Sequence, residues 1–205
     1  MDKKSHWEGI YDGKNAEQLS WYQRHMNLSL ALIEKIAPNK DASIIDIGGG
    51  ASVFVDDLLA AAYRTLTVLD LSENALNSAK QRLGDRAKAV DWRAADILEA
   101  VLPEKAFDVW HDRAVFHFLT STEDRQRYVA QVRKALVPGG YIVIATFAEN
   151  GPPRCSGLEV QRYSVQTLSA AFGSEFKLID NRSEMHITPD GRSQPFIYCV
   201  FKRFL

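Results

Sequence analysis

The run Ile44-Ile45-Asp46-Ile47-Gly48-Gly49-Gly50-Ala51-Ser52 constrains the fold of this chain more than any other stretch. Three isoleucines around a single acid make a short strand suited to burial on both faces, and three consecutive glycines then turn the chain tightly. Val53, Phe54, Leu58 and Leu59 follow at helical spacing. Strand, Gly-rich turn and helix in that order open a βαβ unit. In an open parallel sheet such a turn faces the ligand crevice at the carboxyl ends of the strands.

The same rhythm continues downstream. Leu66-Thr67-Val68-Leu69 reads as the next strand and ends at Asp70; Ser72 can cap a helix carrying Ala75, Leu76, Ala79 and Leu83, which Gly84 stops. Ala89-Val90 opens a third strand that reaches Asp96, and a fourth runs from Phe107 to His111. Thr122 or a neighbouring hydroxyl can cap a helix bearing Tyr128, Val129, Val132 and Leu136, broken by Pro138-Gly139-Gly140 before the strand Tyr141–Ala145. Residues 148 to 163 read as a long loop and 164 to 172 as a short helix. Strands around 176–187 and 195–203 are joined by the turn Thr188-Pro189-Asp190-Gly191. The apolar run Phe196–Phe201 suits a strand inserted within the sheet. The expected fold is therefore α/β: a doubly wound, mainly parallel seven-stranded sheet with helices on both faces and a C-terminal antiparallel hairpin.

Ahead of this unit, Leu19, Tyr22, Met26, Leu30, Ile33 and Ala37 recur at helical steps, so residues 16 to 37 are expected to form one helix closed by Pro38. Trp7, Tyr11, Trp21 and Tyr22 give this end an unusual aromatic density. It reads either as a docked terminal segment or as a lid over a ligand site. The organisation expected is an N-terminal helical cover over 1–40 and a ligand-binding domain over 41–205, within one domain overall.

The balance of charge narrows the partners. Lys and Arg total 25 against 26 Asp and Glu, a net charge of -1, whereas proteins that grip nucleic acid or anionic membranes usually carry a basic excess. Neither partner is expected. The polar start and the absence of a long apolar run predict a cytoplasmic protein with no membrane partner. Cys155 and Cys199 have no Cys or His at metal-binding spacing, so no metal is expected. Cys199 reads as core, and Cys155 as an exposed bystander or a contact in the loop.

Asp70 lies 20 residues after Gly50. An acid at the tip of the second strand can accept hydrogen bonds from the two ribose hydroxyls of an adenosine cofactor. The dinucleotide fingerprint would need glycine where Val53 stands, and Asp46 beside the turn suits a cationic ligand better than a pyrophosphate. S-adenosylmethionine carries an ammonium and a sulfonium and no phosphate, which favours it over a nicotinamide dinucleotide.

On these residues the chain resembles the class I, seven-strand S-adenosylmethionine-dependent methyltransferases over essentially the whole of 40 to 205. Asp46 through Ser52 is similar to their first motif, acid-x-Gly-x-Gly-x-Gly, with Ser52 in place of the third glycine, and Leu136-Val137-Pro138-Gly139-Gly140 resembles the segment that precedes their fifth strand. The resemblance implies that Asp46, Gly48 and Gly50 bind the cofactor. Asp70 would bind the ribose with Leu71 beside the adenine, and Asp96-Ile97 would read the adenine edge. The Trp7–Arg24 segment is similar to the cover of small bacterial methyltransferases and of some eukaryotic protein-lysine methyltransferases. By that likeness Tyr22 or Arg24 reaches the methionine end, a guanidinium suiting its carboxylate.

Acceptor-facing residues are expected at the ends of strands four and five. Asp112 could steer a cationic amine or accept a proton, or merely cap a turn; His117 could serve as a general base or only pack. Trp7, Tyr11 and Trp21, with Arg162 and Tyr163 from the long loop, are the expected acceptor walls. The amino-methyltransferases of nucleobases place Asn or Asp, then Pro-Pro and an aromatic, after strand four; His111 to Leu119 departs from that pattern. The leading expectation is an S-adenosylmethionine-dependent methyltransferase, yielding S-adenosylhomocysteine, that acts on a small molecule at S, N or O, as a monomer or homodimer. A protein-lysine methyltransferase, a cofactor-binding protein without turnover, and a dehydrogenase are the competing readings.

Overall fold

The computed structural model describes residues 3–12 and 16–204. The expected cover over 1–40 includes residues 1, 2 and 13–15, which lie outside the described residues. Helix α1 (Lys3–Tyr11) and a single 3-10 turn (Ala16–Gln18) precede α2 (Asn27–Ile36). The alternating unit then runs β1 (Ser43–Ile47), α3 (Phe54–Ala60), β2 (Thr65–Asp70), α4 (Glu73–Leu83), β3 (Val90–Ala94), β4 (Phe107–Arg113), α5 (Thr122–Ala135) and β5 (Leu136–Phe147). A two-residue hairpin of β6 (Arg154–Cys155) and β7 (Leu158–Glu159) sits within the expected loop. Helix α6 (Val165–Phe172) and the long strands β8 (Phe176–Ile187) and β9 (Ser193–Arg203) complete the chain.

The main sheet has the order β3-β2-β1-β4-β5-β9-β8. The first five strands are parallel, and β9 enters antiparallel between β5 and β8, as its apolar sequence requires. Strand alternation sorts the core into two layers. Ile45, Ile47, Trp110 and Ile144 meet α5 and α6 on one face. Ile44, Val109, Val143 and Ala145 meet α2, α3 and α4 on the other. Ser72 caps α4 by accepting from the N–H of Ala75, and Ser121 caps α5 by accepting from Asp124. Among the described residues no helix is long and apolar enough to cross a membrane.

Two local expectations are corrected. Residues 16–37 are not one helix: only Asn27–Ile36 is α-helical, because the stretch before it is drawn into tertiary contacts. The Ser20 carbonyl and the Gln23 side chain both bond His186 on β8, and the N–H of Met26 donates to Asp57 on α3. The Pro138-Gly139-Gly140 segment does not delay β5, which starts at Leu136; the extra residues are absorbed as a bulge between the Phe107–Leu136 and Val109–Tyr141 pairs.

Candidate functional site

The carboxyl ends of β1, β2, β4 and β5 open onto two connected hollows. The larger, about 320 Å³, is walled by Asp70, Leu71, Asp96 and Ile97 at one end and by Trp7, Phe118, Phe147 and Phe196 at the other. The smaller, about 40 Å³, lies between the Gly-rich turn and the segment before α2, with Tyr22, Asp46, Gly49 and His111 in its walls. Trp21, Ile47, Gly48 and Arg113 line both.

The glycines of the turn are dictated by what lies against them. Gly48 has φ +69, in the left-handed region, and a Cβ there would fall 2.1 Å from a methyl of Val115. A Cβ on Gly49 would fall 2.1 Å from Asp46 Oδ2, and one on Gly50 2.6 Å from Asp70 Oδ2. The turn thus brings bare backbone against two buried carboxylates. Ser52 fits the expected departure from glycine, its Oγ accepting from the N–H of Phe54 at 3.1 Å.

Asp70 accepts from the N–H of Gly50 at 2.9 Å and from that of Ser72 at 2.8 Å. Two bonds leave lone pairs on a carboxylate that can accept about four, so it can still receive a pair of hydroxyls. Burial pushes its pKa up to about 6 against the lowering effect of those two N–H groups. Asp46 accepts from His111 Nδ1 through Oδ1 at 2.6 Å, while its Oδ2 is buried without a partner. An orphaned carboxylate oxygen beside a glycine turn fits a ligand ammonium.

The N-terminal aromatics converge on the same place. Trp7 meets Phe118 edge-on at 5.1 Å between ring centroids and Trp21 at 5.9 Å; Tyr11 meets Trp21 at 6.1 Å. Helix α1 is tied to both sides of the larger hollow. Glu8 accepts from Ser72 Oγ and from the N–H groups of Glu73 and Asn74, and His6 Nε2 lies 3.1 Å from the Ser156 carbonyl.

Several expected site residues lie elsewhere. Asp112 is fully buried on the α5 face and spends its carboxylate on the N–H groups of Val115 and Phe116 and on the Tyr128 hydroxyl at 2.5 Å. It caps the turn after β4 and does not line the hollow. Burial pushes its pKa up to about 6. His117 is also fully buried. Its Nδ1 accepts from the N–H of Phe147, its ring packs against Phe118 and Phe147, and burial lowers its pKa to about 3, which leaves no usable base at neutral pH. Arg162 is exposed and donates to the Gly151 carbonyl, while Tyr163 is packed 5.6 Å from the Phe116 ring; neither lines the hollow. Arg24 is exposed and lines an outer groove with Glu184 and Ile187. Cys155 is not an exposed bystander: it is 6 % exposed, lines the larger hollow, and burial pushes its thiol pKa up. Cys199 is core.

Two residues were missed. Arg113 places a guanidinium in the wall shared by the two hollows, where Arg24 does not reach. Its side chain is only 5 % exposed, donating to Tyr198 Oη and Glu184 and lying 4.3 Å over the Phe196 ring. His111 is the partner of Asp46. Both share a face with Val109 by simple alternation along β4, so the polar run closing an apolar strand was the available signal.

Residues 45–144 match the methyltransferase domain family. The chain is 26 % identical over 147 residues to the zebrafish (Danio rerio) eEF1A lysine and N-terminal methyltransferase, covering 70 % of this chain and 21 % of that protein, so it spans about a fifth of that relative's length. A structure described under the conversion of a disulfide bond into a thioacetal group during echinomycin biosynthesis superposes with a TM-score of 0.80 at 17 % identity, covering 99 % of this chain and 92 % of that one. The Burkholderia thailandensis 1,6-didemethyltoxoflavin-N1-methyltransferase, with 1,6-didemethyltoxoflavin and S-adenosylhomocysteine bound, superposes with a TM-score of 0.70 at 19 % identity, over 98 % of this chain and 84 % of that one.

Proposed function

We propose that this chain, which belongs to the class I S-adenosylmethionine-dependent methyltransferases, methylates a small molecule whose nucleophilic lone pair is already free when it enters the site. The observation that carries this reading is the larger hollow itself: aromatic at its acceptor end, bridged by α1, and without a base there. Among the described residues lining it, the carboxylates are Asp70 and Asp96 at the cofactor end and Glu159, an exposed residue paired with Arg154. The remaining titratable walls are poor bases at neutral pH. Lys3 and Arg113 are cationic, and burial raises the pKa of both Tyr11 and Cys155.

The residues fit the cofactor. Asp70 would accept from its ribose hydroxyls, Leu71 and Ile97 would flank the adenine, and Asp96 would read its amino edge. The orphaned Asp46 Oδ2 would accept from the ammonium, and Arg113 would face the carboxylate. When bound, S-adenosylmethionine supplies an electrophilic methyl group on a sulfonium. The chain's own contribution is to orient the acceptor between Trp7, Phe118, Phe147 and Phe196 and to exclude water with α1. A thiolate, or an amine or ring nitrogen with a free lone pair, needs no more than this, whereas an alcohol needs a base that these walls do not offer.

The test is methyl transfer from labelled S-adenosylmethionine in cell extract. Label in the small-molecule fraction is expected. Label confined to a protein band would overturn the reading in favour of a protein-lysine methyltransferase, which the likeness to the zebrafish enzyme keeps as the rival.

A further inference from the structure

The mostly apolar face of the sheet beneath the smaller hollow carries a chain of polar groups beside the cluster of Arg113, Tyr198 and Glu184. Asp46 on β1 and His111 on β4 are register partners, and Ser29 reaches them from α2. His111 Nδ1 stands 2.6 Å from Asp46 Oδ1, and its Nε2 stands 2.9 Å from Ser29 Oγ. All three are buried, at 3 %, 1 % and 0 % exposure, and the ring of Phe54 lies over the imidazole at 4.2 Å between centroids. Burying three polar side chains among Ile44, Val109 and Val143 is costly unless each finds a partner, and a half-satisfied network is worse than none. Here every side-chain N and O atom of the three is satisfied except Asp46 Oδ2, which lies against Gly49 in the wall of the hollow.

A carboxylate rotates about its Cβ–Cγ bond, and a lone Asp beside a flexible turn could turn either oxygen away from a ligand. The imidazole prevents this. It takes Oδ1, carrying its proton on Nδ1, and is itself held at Nε2 by Ser29 and across its face by Phe54. We propose that His111, held by Ser29, is a positioning residue for the cofactor: it fixes Asp46 Oδ1 so that Oδ2 stays turned toward the amino-acid end of S-adenosylmethionine. The inference rests on the cofactor reading above and adds to it that α2, through Ser29, belongs to the cofactor-binding machinery.

The test separates the amino-acid end from the nucleoside. S-adenosylhomocysteine and 5′-methylthioadenosine share the adenosine, and only the former carries the ammonium and carboxylate. Both are titrated calorimetrically into the wild type and into His111→Phe, His111→Asn and Ser29→Ala, each checked for a cooperative thermal transition. His111→Phe keeps a ring against Phe54 and removes the donor. It is expected to weaken S-adenosylhomocysteine roughly ten- to a hundredfold, the range for losing a hydrogen bond to a charged group, and to leave methylthioadenosine within about twofold. His111→Asn, whose amide can donate near the Nδ1 position, is expected to recover most of the loss. Ser29→Ala is expected to show a smaller loss of the same selectivity. Parallel weakening of both ligands, or of neither, overturns the inference. A wild type that binds neither ligand overturns the cofactor reading, and this inference with it.

Discussion

Glu8 offers the clearest perturbation of the N-terminal cover. Its carboxylate accepts from Ser72 Oγ at 2.8 Å, from the N–H of Glu73 at 2.8 Å and from the N–H of Asn74 at 3.2 Å. These are donors of the first turn of α4, which follows directly on Asp70, and an anion there is favoured by both the free N–H groups and the helix dipole. Partial burial works to raise the Glu8 pKa, but the bonds from Ser72, Glu73 and Asn74 outweigh it and hold the carboxyl below its ordinary range. A capping interaction of this kind contributes roughly 1–2 kcal/mol. If that energy holds α1 across the cofactor, Glu8→Ala should speed release of S-adenosylhomocysteine about five- to thirtyfold. Association should change little. Stopped-flow fluorescence follows the step directly, since Trp7 and Trp21 sit in the cover. Asp12→Ala, an exposed change in the same segment, should leave release unchanged. Because the Glu8 pKa is lowered, its contact is complete at neutral pH and is lost only as pH falls through that lowered value. Glu8 should therefore add no pH dependence to release between pH 6 and 8. A Glu8→Ala release rate within twofold of wild type would refute the latch.

Three further outcomes follow from the site. The Asp70 pKa is raised to about 6, so its proton is bound below that pH and the hydroxyl acceptor is lost; calorimetry from pH 5 to 8 should show S-adenosylhomocysteine affinity rising through about pH 6 and then levelling. Asp112→Asn should lower stability by roughly 2–4 kcal/mol in denaturant melts, since a buried carboxylate serving three donors is removed, and should leave the shape of the pH–rate profile unchanged. Across acceptors of different acidity, the inflection of kcat/KM with pH should move with the acceptor's own ionisation; one fixed inflection for all of them would reveal a protein base.

The succession of strands and helices was readable because each β-branched run is bounded by its own Gly, Pro or capping residue, and the two-sided apolarity of Phe196–Phe201 marked a strand inside the sheet. The helix expected over 16–37 was overextended because periodicity cannot see that His186 and Asp57 capture the polar groups of residues 20–26. Within the site, the placing of Asp46, Gly48 and Asp70 along the crevice was legible since a Gly turn with a spaced acid is local in sequence, whereas Asp96 rested on the family resemblance alone. Asp112 and His117 were not. Whether an acid at a strand end faces a ligand or caps the next turn depends on Tyr128, 16 residues away, and whether a histidine is a base or packing depends on the rings that enclose it. Arg24 was expected from the likeness of the N-terminal segment to known covers, and no such likeness marks Arg113, whose guanidinium the sheet delivers from beneath.

Calorimetric titration of S-adenosylhomocysteine into the wild type and Asp70→Ala asks whether the crevice between the Gly-rich turn and Asp70 holds S-adenosylmethionine. Saturable binding of one ligand per chain is expected, weakened at least tenfold by the substitution, because hydrogen bonds to a charged acceptor are lost. Equal affinity in the two proteins would place the ligand away from Asp70, and no binding to the wild type would remove it from the crevice altogether.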